Sequence, residues 1–193
     1  MPQIARETLL TLEAYARTRN DFRERVLAHK KPRTVHLGEH LTLLFEDELT
    51  IRYQVQEMLR VEKTFEEAGI RDELDAYNPL IPDGCNWKVT LLLEFDPDAR
   101  PAALASLRGV EDRCWVQVHG HEAVYAIADE DMPRENAEKT AAVHFLRFEL
   151  EPAMSAALHA KAALAVGIDH ENYRHKIDPV SEAVRHSLAA DLN

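Results

Sequence analysis

The sequence predicts an α+β protein: a single domain over residues 1–193, with a mostly antiparallel sheet of about five or six strands. A long N-terminal helix, a central helix and C-terminal helices pack that sheet. Three stretches carry this reading. From residue 48, Ile51, Val55, Met58, Leu59, Val61 and Phe65 fall on one broad arc at the helical step, as a helix packed on a core requires. Residues 86–95 alternate, with Trp87, Val89, Leu91, Leu93 and Phe95 on one face and Asn86, Lys88, Thr90 and Glu94 on the other. Residues 141–150 carry apolar side chains on both faces, which predicts a central strand covered twice.

Taken in order, residues 5–29 read as an amphipathic helix with Leu12, Tyr15, Ala16, Arg19, Phe22 and Val26 at helical spacing, and Asn20-Asp21 as its bend or break. Pro32 ends it. Residues 34–37 and 40–45 then form a hairpin about Gly38-Glu39, because glycine accepts the positive φ of a tight turn. Asp47 caps the central helix with its carboxylate, Glu48 suits the positive end of the helix dipole, and Gly69 offers a stop. Residues 70–77 make a short helix running into a loop over 77–84, which Pro79, Pro82 and Asp83-Gly84 stiffen.

After the strand at 86–95, a short helix within 97–109 uses Ala102, Leu104 and Leu107. A second hairpin joins residues 113–119 to 122–128 at Gly120-His121, and the charged residues 129–139 form a loop or short helix. Pro152 opens an Ala-rich helix that ends at Gly167. Residues 169–173 link it to a last helix, capped by Asp178, with Val180, Ala183, Val184 and Leu188 on one face.

A length of 193 residues with 46% apolar content is enough for one sizeable core. With 34 acidic against 23 basic residues the net charge is −11, which argues against nucleic acid as a partner, since phosphate neutralisation needs a concentrated basic surface. Cys85 and Cys114 are far apart and outside any C-x-x-C pattern, so neither a zinc motif nor a disulfide framework is indicated. No apolar run is long enough for a bilayer and no signal-peptide pattern opens the chain, so a cytoplasmic location is the default, with no membrane partner.

Candidate functional residues come from three places. On the central helix Glu62 falls inside the apolar arc, where a carboxylate must find partners or become neutral. Two readings stand for it: a group at the core rim turned to water or ion-paired, or a functional carboxylate in a protected site. Arg52 and Gln56, one turn apart, could together hold an anionic or amide group, or form a solvated face. On the stiff loop, Tyr77 and Asn78 are presented with little entropy left to lose. On the last strand, His144 and Arg147 are the natural groups to meet Glu62, arginine in a bidentate pair and histidine as a titratable one. No motif names a cofactor; Glu62, His119, His121 and His144 form the candidate set for iron, zinc or manganese, because imidazole and carboxylate suit those ions.

The stretches 52–62 (RYQVQEMLRVE), 77–82 (YNPLIP) and 143–148 (VHFLRF) together resemble an uncharacterised bacterial family of unknown function, and the resemblance runs through nearly the whole chain. It implies a link to redox or peroxide handling, because genes of that family often lie near those of rubrerythrin and iron–sulphur oxidoreductase-like proteins. No catalytic residues come with it. The expected function is therefore a soluble accessory or binding protein associated with redox partners. The alternatives are a metal-dependent enzyme or metal-binding protein with a Glu/His site, and a structural homodimer subunit; whether the protein is an enzyme stays open.

Overall fold

The structure is a computed structural model that describes residues 3–130, 134 and 138–193. In chain order the elements are α1 (Leu12–Lys30), β1 (Thr34–Leu37), β2 (Leu41–Glu46), α2 (Glu48–Glu62), α3 (Glu67–Tyr77), β3 (Asn86–Leu93) and α4 (Arg100–Ser106). They continue with β4 (Cys114–Val118), β5 (Val124–Tyr125), β6 (Ile127–Ala128), β7 (Val143–Glu149), α5 (Pro152–His159), β8 (Leu164–His170), β9 (Tyr173–Ile177) and α6 (Glu182–Ala189). The fold is α+β. Its strands form two antiparallel sheets, ordered β1-β2-β3-β7-β6 and β5-β4-β8-β9, where the sequence predicts one sheet of five or six strands.

Alternation sets the inner face of the first sheet. Trp87, Val89 and Leu91 on β3 stand opposite Phe148, Leu146 and His144 on β7, and all six side chains are buried. The second sheet adds Cys114, Val116, Val118, Leu164, Val166 and Ile168 to the same core, which α5 and α6 help to close. A second apolar cluster joins Ile4 and Leu9 to Ile51, Val55 and Leu59 of α2 and to Ile70 and Leu74 of α3. None of the described helices is long and apolar enough to cross a membrane.

Five further expectations are corrected. The helix expected over 152–167 ends at His159; Lys161 takes a left-handed φ of 69°, and the chain continues into the β8–β9 hairpin in place of the linker expected at 169–173. Leu164, Val166 and Ile168 alternate into the core there, and Gly167 is a strand residue lying under Trp115, whose ring a Cβ would meet at 2.3 Å. The strand expected over 122–128 splits, β5 pairing with β4 and β6 crossing to β7. Strand β7 is buried on its inner face, while Val143 and Glu149 on the outer face are exposed, so it is not covered twice. The last helix is capped by Ser181, not Asp178. The N-terminal helix begins later than expected, at Leu12 with Thr11 as cap, and runs unbroken through Asn20-Asp21. Of the loop expected over 129–139, residues 131–133 and 135–137 lie outside the described residues.

Asp47 caps α2 as its position predicts: its carboxylate accepts from the Thr50 amide while the Thr50 hydroxyl accepts from the Asp47 amide, a capping box. The helix ends at Glu62, where Lys63 adopts a left-handed φ of 56°, before the expected arc is complete. Glu57, half-buried, is the α2 carboxylate that faces α1. It accepts from the Tyr15 hydroxyl at 2.7 Å, from Arg19 Nε and Nη2 at 2.7 and 2.8 Å, and from Arg60. Arg19 outweighs burial and, with Tyr15 and Arg60, holds Glu57 down at about 2.

The longest-range polar tie is Arg33, 1% exposed. Its guanidinium donates to the carbonyls of Phe45 (2.9 Å) and Glu46 (3.1 Å), to Ser187, and to both carboxylate oxygens of Asp191 (3.2 and 2.5 Å). Asp47 lies 3.4 Å from Nε and also meets His29 at 2.5 Å. Burial pushes the Asp191 carboxyl above its ordinary range although Arg33 opposes it. For Asp47 burial acts the same way but is outweighed by Arg33, the Thr50 amide and His29, which leave it lowered.

Replacing Arg33 by Met is expected to cost about 3–5 kcal/mol, because it strands buried carboxylates without a counter-charge; the urea unfolding midpoint measures it. The depressed Glu57 carboxyl contributes stability in full above about 4.5, its ordinary value, and loses it as pH falls towards about 2. The stability gap between wild type and Glu57→Gln, followed by chemical denaturation across that window, should therefore close on acidification. Glu62→Gln should match wild type at neutral pH within about 0.5 kcal/mol, as at other exposed surface positions.

Candidate metal centre and the predicted site residues

His144 sits on the inner face of β7 opposite Leu91, wholly buried, so both of its ring nitrogens need partners inside the protein. The chain supplies them from three directions. Asp129 follows β6 with a left-handed φ of 46°, and its amide donates to the Phe145 carbonyl at 2.8 Å. Its Oδ1 accepts from the Phe145 amide at 3.0 Å, so the side chain stands in for a strand neighbour. That pairing aims Oδ2 at His144 Nδ1, 2.5 Å away, while Arg134 lies 3.3 Å from Oδ1.

On the other side of the ring, Nε2 lies 2.8 Å from Thr140 Oγ1, 3.1 Å from the Ala141 carbonyl and 3.7 Å from Glu111 Oε2. The Thr140 hydroxyl donates to Glu111 at 3.2 Å. Glu111 belongs to the 3-10 turn Glu111–Arg113 ahead of β4 and is buried, as is Thr140. One ligand atom from each of Glu111, Asp129 and His144 lies within 4.8 Å of the others, a grouping of the kind that holds a metal ion.

The residues singled out in sequence are not gathered into one site. Glu62 is exposed on the last turn of α2 and makes no bond to His144 or Arg147. Its neighbours on the expected arc, Val61 and Phe65, are 61% and 74% exposed, because none of the described elements covers that face at the end of the helix. His119 and His121 flank the β4–β5 turn, His119 exposed, and neither joins the grouping around His144. Arg147 points to the opposite side of β7 from His144, forking onto Glu130 at 2.7 and 2.8 Å and also bonded to Glu149.

Three of the remaining candidates bind the chain itself. The Gln56 amide accepts from the Leu10 amide at 2.8 Å and donates to the Leu10 carbonyl at 3.4 Å. Asn78 does the same for Ile4, at 2.8 and 3.3 Å. Arg52 donates to Glu48 and to the carbonyl and hydroxyl of Thr8 at 3.1 and 2.9 Å. Together they clamp residues 4–10, which carry the 3-10 turn Arg6–Thr8 and place Ile4 and Leu9 in the second apolar cluster, against which Tyr77 packs. Glu111, Asp129 and Thr140 escaped the sequence reading, since an acid before a strand, an acid in a charged loop and a threonine show no periodic signal.

A family described as "Protein of unknown function (DUF3501)" matches residues 3–192. Among solved structures, the crystal structure of a novel protein of unknown function from Burkholderia pseudomallei K96243 is 55% identical, with a TM-score of 0.94 and complete coverage of both chains. No curated protein matches the chain.

Gln56→Ala and Asn78→Ala should each cost about 1–2 kcal/mol, because each leaves a backbone amide and carbonyl without their partner. Hydrogen exchange at Leu10 should accelerate in the first variant and at Ile4 in the second, with exchange in β3 unchanged.

Proposed function

The chain belongs to the DUF3501 family of proteins of unknown function, and we propose that it is a metal-binding protein whose Glu111–Asp129–His144 group, with Glu111 and His144 buried, takes one divalent ion. The observation that carries this reading is the convergence of two carboxylates and an imidazole, from three separate segments, within 4.8 Å.

Hydrogen-bond geometry divides the roles. Two ligands at about 2.0–2.1 Å from one ion stand roughly 3.0–3.4 Å apart. The 2.5 Å contact between Asp129 and Nδ1 is too short for that and suits a carboxylate that orients the ring. On the Nε2 side, Thr140 Oγ1, the Ala141 carbonyl and Glu111 Oε2 lie 2.8, 3.1 and 3.7 Å away, a spread that bracket ligand spacing. The ion would bind at Nε2, with His144 and Glu111 as its charged or strongly donating ligands. A donor set of imidazole and oxygen without thiolate favours iron, manganese or zinc. Iron or manganese would give chemical substance to the accessory role beside redox partners that the family resemblance implies.

Elemental analysis of protein purified anaerobically, without added metal or chelator, tests the proposal. Iron, manganese or zinc at about one per chain is expected, falling at least tenfold in Glu111→Gln and His144→Ala, with circular dichroism confirming that the variants fold; removal of second-sphere and first-sphere ligands has effects of this size. Folded, metal-free wild type that takes up none of the three ions on titration would overturn it and leave the cluster as a structural tie.

A further inference from the structure

The outer face of β7 borders a cleft of about 470 Å³ between the sheet and the end of α3, lined by Pro79, Leu80, Lys88, Phe145, Leu146 and Arg147. Among the described residues Lys88 has no hydrogen-bonding or ion-pairing partner, although it is half-buried. Its register partners on the two adjacent strands are already engaged. Arg147, its register partner on β7, is taken by Glu130 and Glu149. Glu46, its register partner on β2, accepts the hydroxyls of Thr50 and Thr90 at 2.5 and 2.6 Å. Asp75 lines the cleft from α3, and Asp83 acts on Lys88 from the loop before β3.

We propose that Lys88 is a nucleophilic amine that forms an imine with a small, uncharged aldehyde or ketone entering this cleft. Burial and the neighbouring Arg147 both lower the Lys88 ammonium below its ordinary range, with Glu130, Asp83 and Glu149 acting against them, so more of the free amine is present at neutral pH. The same acids make the cleft a poor host for an anion: Arg147 has no free fork to offer, and Asp75 and Glu130 share the wall. Apolar walls and balanced charge admit a neutral carbonyl compound instead. The Nζ lone pair adds to the carbonyl carbon to give a carbinolamine. Its C–O bond then breaks, the oxygen leaves as water with both amine protons, and a C=N bond remains, with no change of oxidation state.

The test is reductive trapping with benzaldehyde and sodium cyanoborohydride near neutral pH on the full chain, the adducts being mapped by peptide mass spectrometry. Lys88 should be benzylated several-fold faster than the exposed Lys63, Lys161 and Lys176. Lys88→Arg, checked for folding by circular dichroism, should lose the fast adduct and keep the slow ones. Labelling of Lys88 at or below the rate of the exposed lysines would overturn the proposal, as would a fast adduct that survives in Lys88→Arg. Neither readout depends on Glu111 or His144, so the result is independent of the metal reading.

Discussion

A single buried guanidinium organises the chain's ends around its sheets. Arg33 lies at the junction between α1 and β1, yet its donors reach the β2–α2 corner and the C-terminal helix, more than 150 residues away in sequence. A cation so deeply buried is tolerated only because its fork meets two backbone carbonyls and the Asp191 carboxylate, with Asp47 alongside. Asp47 in turn caps α2, so the start of that helix, the end of α1 and the last turn of the chain share one charge network. Helix α2 is thereby held where Gln56 and Arg52 can clamp residues 4–10.

Strand β7 divides the polar chemistry of the molecule between its two faces. Inward, His144 interrupts an apolar row and needs Asp129, Thr140, Ala141 and Glu111 for its two nitrogens. Outward, Arg147 is neutralised by Glu130 and Glu149, which leaves Lys88 without a bonded partner among the described residues of the adjoining cleft. The segment after β6 serves both sides, Asp129 turning in to the histidine and Glu130 turning out to the arginine. The crossing of β6 from one sheet to the other makes this possible, because it lays residues 127–130 along β7.

Where local rules decide the outcome, the sequence is legible. Asp47 as a cap, the turn at Gly38, and the alternation of β3 each depend on residues within a few positions of one another, and each stands in the structure as read. The β8–β9 hairpin was hidden because alanines before it continue a helical composition, and only the pairing of β8 with β4, which carries Val166 into the core, favours the strand. Glu62 misled for a related reason. A helical wheel assigns a face to every residue, but burial depends on whether another element covers that turn, and none of the described elements covers this face at the end of α2.

By itself the sequence determined the α+β class and most of the elements before residue 150. Those follow from periodicity, capping and turn chemistry, which act over a few residues. Tertiary structure alone decided the division into two sheets and the partners of each polar group, since Glu111, Asp129 and His144 come from segments up to 33 residues apart and meet only when β6 crosses between sheets. A polar side chain announces its need for a partner in the sequence, but the partner's identity is a matter of which distant segments share the same buried volume.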